Sequence, residues 1–153
     1  MHSWDLTPKE AVTLQRELAG RVEREDRLGL VSRVAGVDVS YHAATGRLAA
    51  AAVVLDAGTL QVMDVQIVLG KPVFPYVPGL FSFRELPPVL AALEKLTAPP
   101  DLIVCDGQGI AHPRRFGLAC HLGVWTGLPT IGCAKSRLTG THDMPGTRRG
   151  SLA

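Results

Sequence analysis

The spacing of apolar and polar residues in the first half of the chain predicts one helix followed by three strands. Apolar positions recur at helical spacing over residues 8–27, with Thr7 as the N-cap and Pro8 at the first helical position. Three apolar, strand-like runs follow, and short turn-like segments separate them. These runs predict an antiparallel meander of strands at residues 31–41, 48–55 and 60–69.

The second half of the chain predicts helices that alternate with strands. Three prolines in residues 71–79 exclude a regular helix or a central strand, so this segment is predicted to be a stiff, exposed loop. A helical pattern covers residues 80–96, and Pro87 and Pro88 are expected to kink that helix or to start a new one after Glu85. The remaining runs predict a strand at 102–106, a helix at 116–126 and a strand at 130–134. This order indicates an α/β fold with a mixed sheet.

The length and composition predict one compact domain over residues 1–153. Of the 153 residues, 46% are hydrophobic and 20% are charged, which is enough apolar content for a core and too little charge for disorder. No run of 18 apolar residues and no secretory signal is present, so we expect a cytoplasmic protein without a membrane partner. An odd number of cysteines without a Cys-x-x-Cys pair favours neither disulfides nor zinc, and predicts buried thiols at Cys105, Cys120 and Cys133.

Charge is distributed unevenly along the chain, although the formal net charge is only +2. Residues 1–106 contain 10 Lys and Arg against 13 Asp and Glu, whereas residues 107–153 contain 6 against 1. A basic C-terminal third fits a polyanionic partner such as nucleic acid, because Lys and Arg contacts to phosphate dominate such binding. Ordinary solvated surface charge explains the same numbers equally well.

Two carboxylates follow apolar runs and predict a site for a hard cation. Asp106 closes the run 102–105 and is followed at once by glycine, and Asp38 closes the run 34–37 in a similar way. Such strands deliver an acid to the edge of a sheet, and Mg²⁺ prefers one or two carboxylates together with water and phosphate. Glu85 is a third candidate, because it lies near the start of a predicted helix. A turn cap at Asp38 and a solvated acid at Glu85 are the structural alternatives.

Three further features are candidates for contacts with a phosphate or a base. Lys135 follows the predicted strand 130–134, where an ammonium group can stabilise charge on a phosphate, although a strand-terminal lysine in solvent is the simpler explanation. His112 is a candidate proton carrier or phosphate contact. Residues 75–78 combine two prolines with Tyr76, which predicts either a wedge that enters a base stack or a loop whose tyrosine packs on the core.

Five short motifs follow one another over nearly the whole chain. They are Gly-Val-Asp-Val-Ser-Tyr at 36–41, Pro-Tyr-Val-Pro-Gly at 75–79 with Phe-Arg-Glu at 83–85, Asp-Gly-Gln-Gly-Ile-Ala-His-Pro-Arg at 106–114, and Gly-Cys-Ala-Lys-Ser at 132–136. Together they resemble the endonuclease V family of deoxyinosine-specific nucleases, whose fold is ribonuclease H-like. Members of that family usually continue past the equivalent of residues 150–153, so we expect this domain to be incomplete at its C-terminus.

The resemblance implies a metal site and a lesion-binding surface. Asp38 and Asp106 would bind Mg²⁺, with Mn²⁺ as a substitute, and Glu85 would complete the acidic site directly or through water. Lys135 would be the active-site lysine. Tyr76 would take the gap left by a flipped base, within a wedge formed by Pro75, Tyr76, Val77 and Pro78. The hypoxanthine pocket, which is largely main-chain in the family, would involve Gly79, Gly107, Gly117 and Leu118.

The resemblance further implies a Mg²⁺-dependent endonuclease of DNA repair. It would recognise deoxyinosine and hydrolyse the second phosphodiester bond on the 3′ side of the lesion. Its partner would be inosine-containing DNA, with RNA as the other candidate. Two alternatives are a module that binds inosine without cutting and another ribonuclease H-like nuclease that acts on RNA or junctions. A dinucleotide-binding oxidoreductase is disfavoured, because residues 107–109 lack the third glycine of that fingerprint.

Overall fold

The computed structural model of the protein describes residues 2–152. Its elements alternate as the apolar pattern predicts, with one helix, three strands, and then helix, strand, helix and strand. The helices and strands are α1 (Pro8–Ala19), β1 (Arg33–His42), β2 (Arg47–Asp56), β3 (Val62–Gly70), α2 (Phe81–Leu93), β4 (Leu102–Cys105), α3 (Leu118–Thr126) and β5 (Thr130–Gly132).

The five strands form one mixed sheet in the order β3-β2-β1-β4-β5. The first three strands pair antiparallel through short turns, which confirms the predicted meander. Strand β4 lies parallel to β1, with Val37 opposite Cys105, and β5 lies parallel to β4. The predicted mixed α/β architecture is therefore confirmed. Because parallel neighbours end at the same edge of a sheet, residues that follow β4 and β5 meet beside β1.

The core lies between the sheet and the helices. Alternate residues of β1 and β2 face α2 and α3, while α1 packs against α3 and the start of α2. Each buried Leu, Val or Phe side chain contributes about 1.5–3 kcal/mol relative to exposure. The other face of the edge strand β3 is open to solvent, and apolar side chains occupy it: Met63, Val65, Ile67 and Leu69. The buried residues of the main cluster include Ala35, Val37, Val39, Ala50, Ala52, Leu86, Val89, Ile103, Cys105, Leu118 and Leu122.

Helix α1 begins as predicted but ends earlier. Thr7 is the N-cap, its side chain accepts from the Glu10 N–H at 3.3 Å, and the Glu10 carboxylate accepts from the Thr7 N–H at 2.7 Å. This reciprocal capping box fixes the first turn. The helix stops at Ala19 with Gly20 as its C-cap, so the prediction of a helix to residue 27 is wrong. Glycine weakens a helix interior by about 1 kcal/mol, and here it marks the end.

Helix α2 runs without interruption through Pro87 and Pro88. Of the two predicted alternatives, a new helix start after Glu85 is therefore wrong, and a kink at the prolines stays a prediction. Each proline removes a backbone hydrogen bond and costs about 3 kcal/mol in a helix interior. Buried side chains on both sides of the pair offset this loss, and they include Phe83, Leu86, Val89 and Leu90.

The cysteines are free, and their burial differs from the prediction at one position. Cys105 and Cys120 are buried, whereas Cys133 is exposed because it follows the last residue of β5, where the chain leaves the sheet. Residues 71–80 form neither helix nor strand, as their prolines predict. Within residues 2–152, no helix is both long and apolar enough to cross a membrane.

Candidate active site

Parallel pairing of β1 with β4 brings two carboxylates side by side. Val37 is the last residue of β1 that pairs with β4, and its partner Cys105 ends β4. Asp38 and Asp106 are the residues that directly follow this last pair. The Asp106 N–H donates to the Val37 carbonyl at 3.4 Å. Asp38 alternates with buried Val37 and Val39, so it lies on the face away from the core. It lies within β1 rather than at its end, since the strand continues to residue 42.

Glu85 reaches the same sheet edge from α2. Only 3% of its surface is exposed. Burial raises the pKa of the Glu85 carboxyl to about 7, and the negative charges of Asp38 and Asp106 add to the rise. Contacts with Tyr41 and Arg84 oppose the increase. The helix therefore supplies a third acid, held in a low-dielectric position next to the other two.

Lys135 closes the acidic cluster from the loop after β5. Its Nζ donates to Asp106 Oδ2 at 2.6 Å, and this bond raises the pKa of the lysine. The Lys135 side chain is 85% exposed. Solvent screens an exposed ion pair, so this pair adds little to stability. The lysine is instead an exposed, charged donor among the residues that line the site.

The three acids and the lysine line one pocket of about 470 Å³. Tyr76, 70% exposed, stands at its rim together with Phe81. The Arg84 guanidinium lies 4.8 Å above the centre of the Tyr41 ring, and its Nη1 donates to the Phe74 carbonyl at 2.7 Å. The lining residues are Asp38, Val39, Ser40, Tyr41, Tyr76, Phe81, Arg84, Glu85, Asp106 and Lys135. The proline loop and the acidic site thus share one surface.

The residues predicted to surround the base are not among those that line this pocket. The Gly117 N–H donates to the Gly109 carbonyl at 3.0 Å, which seats the start of α3 on the loop after β4. Leu118 is 5% exposed and packs against Gly107. Within the wedge, Pro75 and Pro78 are exposed while Val77 is partly buried against the Phe74 and Phe83 cluster.

His112 is buried rather than presented to solvent, with 4% of its surface exposed. Its Nε2 donates to the Gly79 carbonyl at 3.1 Å, and its Nδ1 accepts from the Arg114 N–H at 3.1 Å. Burial and the Arg114 charge lower the pKa of His112. Both ring nitrogens are thus engaged within the protein, in a neutral imidazole that joins two loops.

Three polar pocket residues and one buried amide were not predicted individually from the sequence. Ser40 follows Asp38 by two residues in a strand, so the period of two places both on one face. Tyr41 and Arg84 lie within the motifs at 36–41 and 83–85, but no local pattern marks either residue by itself. Gln15 is a polar residue on the apolar stripe of α1, between Ala11 and Leu18, and only 1% of it is exposed.

The donors present fit a hard divalent cation. Asp38, Glu85 and Asp106 offer only carboxylate oxygens, which are the ligands that Mg²⁺ selects. Burial is the main cause of the raised pKa of Glu85, and the charges of Asp38 and Asp106 add to it. A positive charge placed between the three carboxylates would relieve their mutual repulsion. Within residues 2–152, no group of three or more His, Cys, Asp or Glu side chains is arranged to hold a metal ion. The fit therefore rests on the chemistry of the donors.

A mixed five-stranded sheet with helices on it and an acidic cluster at the edge of β1 and β4 defines a ribonuclease H-like α/β protein. Within that class, residues 16–153 match the family model described as Endonuclease V. The chain belongs to the endonuclease V family.

Individual relatives agree with this assignment. The endonuclease V of Streptomyces coelicolor is 57% identical over 98% of this chain and 65% of its own. The crystal structure of endonuclease V from Streptomyces avermitilis has a TM-score of 0.90 at 55% identity, covering 97% of this chain and 66% of that one. An endonuclease V from Ciona intestinalis, in complex with a 23mer DNA containing an inosine followed by a ribo-adenosine, has a TM-score of 0.79 at 32% identity. That match covers 86% of this chain and 59% of the other.

The lengths differ. The chain spans about two thirds of the curated Streptomyces relatives, 65% of one and 66% of the other.

Proposed function

We propose that this chain carries the acidic site of an endonuclease that cuts inosine-containing nucleic acid with the help of Mg²⁺. The observation that carries the proposal is the pocket in which Asp38, Glu85, Asp106 and Lys135 stand together beneath Tyr76. A carboxylate triad suits a cation that neutralises phosphate charge, and the lysine suits the phosphate itself. Mn²⁺ would substitute for Mg²⁺, since both prefer oxygen ligands.

The acids and the lysine have separate roles in this proposal. Asp38, Glu85 and Asp106 would hold a Mg²⁺ ion, which when bound supplies charge neutralisation at the phosphate and lowers the pKa of water. Lys135 donates to Asp106 in the free protein and is long and exposed enough to turn toward a phosphate oxygen instead. There it stabilises the charge that develops as the phosphodiester bond breaks. The bond cut is the second on the 3′ side of the inosine.

Tyr76 would act on the base rather than the phosphate. Its ring is exposed at the rim of the pocket and is flanked by exposed Pro75 and Pro78. A stiff loop with an exposed ring can fill the gap left when a nucleotide leaves the stack. The loop around Gly107, Gly117 and Leu118 would then surround the flipped hypoxanthine, largely with main-chain groups.

The comparisons support an inosine-containing DNA partner. The Ciona intestinalis relative was captured with such a DNA, and its fold matches most of this chain. The basic residues that follow Asp106 in sequence suit the phosphate backbone of either DNA or RNA. The proposal therefore names inosine as the determinant and leaves the sugar to experiment.

The test uses end-labelled single strands of DNA and RNA, each with one inosine, incubated with the protein in Mg²⁺, Mn²⁺ or EDTA. We expect a metal-dependent nick at the second bond 3′ to the inosine. Glu85→Gln and Asp106→Asn should reduce the rate at least a hundredfold, because each removes a carboxylate from the site. Glu94→Gln is the matched control at the C-cap of the same helix, since Glu94 is exposed and lies outside the pocket.

Other results would redirect the assignment. Full activity in Asp106→Asn would remove the acidic pocket from the mechanism. Inosine-selective binding without a nick in any metal would favour a module that recognises the lesion without cutting. Faster cleavage of undamaged RNA:DNA hybrids or junctions than of inosine strands would favour another ribonuclease H-like nuclease.

A further inference from the structure

One backbone oxygen next to the wedge accepts three hydrogen bonds. The Gly79 carbonyl accepts from Gln15 Nε2 at 3.1 Å, His112 Nε2 at 3.1 Å and Arg114 Nη2 at 2.6 Å. A carbonyl oxygen has two lone pairs, so three donors saturate it. The donors come from α1 and from the loop after β4, which holds Gly79 from two sides. We call Gln15, His112 and Arg114 the Gly79 clamp.

Gln15 joins the other members of the clamp. Its Nε2 also donates to the Phe116 carbonyl at 2.7 Å, and its Oε1 accepts from Arg114 Nε. The side chain is 1% exposed, and a buried amide without partners would cost several kcal/mol. These bonds leave the amide fully partnered. A glutamine stands on the apolar stripe of α1 because it binds loops that are distant in sequence.

The clamp fixes one end of the loop that carries Tyr76. Gly79 has a φ of +77°, a left-handed conformation that glycine adopts without strain. At the other end, Arg84 Nη1 donates to the Phe74 carbonyl at 2.7 Å. The Tyr76 loop, residues 74–79, is therefore fastened through a backbone oxygen at each end. Tyr76 stands between these two points.

We propose that Gln15 is a positioning residue for lesion recognition. Through the Gly79 clamp it holds the Tyr76 loop in the conformation that meets a displaced base, and it ties that loop to Phe116, next to the predicted hypoxanthine pocket. The inference rests on the proposed function, because it assigns Gln15 to the inosine-binding step. Gln15 contacts none of the pocket acids and therefore acts on recognition rather than on the cleavage step.

Affinity provides the first test. Gln15→Leu keeps the size of the side chain but removes its donors and acceptor. In EDTA, we expect its Kd for a fluorescein-labelled strand with one deoxyinosine to rise about tenfold, the scale of a lost base–aromatic stack. The Kd for the matching deoxyadenosine strand should not change, and the cleavage rate at saturating protein should fall less than threefold. Arg114→Lys, which cannot bond Gln15 and Gly79 together, should behave similarly.

Two controls separate positioning from general damage. Leu18→Ala destabilises the same helix but removes none of the hydrogen bonds of the clamp, and it should leave the ratio of the two Kd values unchanged. If Gln15 acts through Tyr76, the double variant Gln15→Leu with Tyr76→Ala should bind inosine no worse than Tyr76→Ala alone. Additive losses, or an unchanged Kd ratio in Gln15→Leu, would overturn the proposal.

A measurement without nucleic acid distinguishes this inference from the proposed function. Amide hydrogen exchange in residues 74–80 should be at least tenfold faster in Gln15→Leu than in the parent or in Leu18→Ala, because the clamp no longer restrains the loop. Unchanged exchange would overturn the positioning role even if the protein cuts inosine strands. If the parent chain shows no inosine preference, the proposed function fails, and with it the part assigned to Gln15 in recognition.

Discussion

The buried carboxyl group of Glu85, which lines the pocket, lowers the stability of the protein when no cation is bound. It is buried, and burial together with the charges of Asp38 and Asp106 raises its pKa from the ordinary 4.5 to about 7. Between these two values the folded protein keeps a proton that the unfolded chain has released. The folded state therefore loses stability as the pH rises through this interval. A cation held by the same carboxyl groups would offset this loss of stability, because its positive charge favours the ionised form of Glu85.

Replacement of this carboxyl should stabilise the protein while it removes the cutting activity proposed above. Because one pKa unit corresponds to about 1.4 kcal/mol, we expect Glu85→Gln to increase the free energy of unfolding in EDTA at pH 8 by about 1–3 kcal/mol. At pH 4, where the carboxyl is protonated in the folded protein, no gain is expected. Urea denaturation measures both values. Glu94→Gln should change stability by less than about 0.5 kcal/mol, and a loss at pH 8 in Glu85→Gln would contradict the argument.

At the scale of elements, the short strand β5 positions Lys135 by close backbone packing. The Cys133 N–H donates to the Cys105 carbonyl at 2.8 Å, which ties the end of β5 to the end of β4. Gly132 faces the loop after β4 so closely that a Cβ there would lie 2.6 Å from the Gly107 carbonyl oxygen. Because Gly132 has no side chain, β5 lies close against the loop after β4, and Lys135 can reach Asp106.

An added methyl group should displace this strand. Gly132→Ala forces backbone against Cβ, and overpacking of this kind costs about 1–3 kcal/mol. We expect that loss in urea denaturation, together with at least a tenfold lower cleavage rate as Lys135 moves from Asp106. Gly36→Ala is the matched control, because a Cβ at this β1 position meets nothing within 4 Å. Equal stability of the two variants would show that the loop after β4 yields to the methyl group.

The elements predicted best from the sequence are those specified by local chemistry. Thr7 and Pro8 mark the start of α1, and the turn segments divide the meander correctly. The errors arise where packing overrides local preference. Val22 keeps the helical spacing because it packs near Leu18 from the turn after α1, although the helix has ended. Helix α2 continues through its prolines for the same reason, since its apolar face is buried on both sides of them.

At the scale of the whole molecule, the acidic residues of the candidate site were easier to predict from the sequence than the residues that hold the surrounding loops in place. Asp38 and Asp106 each follow an apolar run. This local pattern can be recognised in the sequence without knowledge of the three-dimensional structure. Gln15 carries no such signal, because its role depends on Gly79 and Phe116, which are 64 and 101 residues away. A polar residue on an apolar helical stripe indicates that a partner exists. Only the three-dimensional arrangement identifies the partner.

A buried histidine links the N-terminal segment to the helices across the molecule. His121 is 0% exposed, its Nδ1 lies 2.9 Å from Ser82 Oγ, and its Nε2 lies 2.8 Å from His2 Nε2. Trp4 and Phe83 pack around the ring. Burial, with a contribution from His2, lowers the pKa of His121 from 6.5 to about 3. The neutral ring is thus part of the packing that joins residues far apart in the chain.

His121 should make global stability sensitive to acid. Between pH 6.5 and 3 the unfolded chain binds a proton that the folded protein excludes. The free energy of unfolding therefore decreases as the pH is lowered, by at most about 1.4 kcal/mol for each pH unit. We expect His121→Gln to lose about 2–3 kcal/mol less than the parent between pH 6.5 and 4, as measured by urea denaturation at each pH. The opposing contribution of Glu85 is present in both proteins and cancels in the difference. His42→Gln, at an exposed histidine, should follow the parent, and equal losses in all three proteins would show that the folded protein accommodates a charged His121.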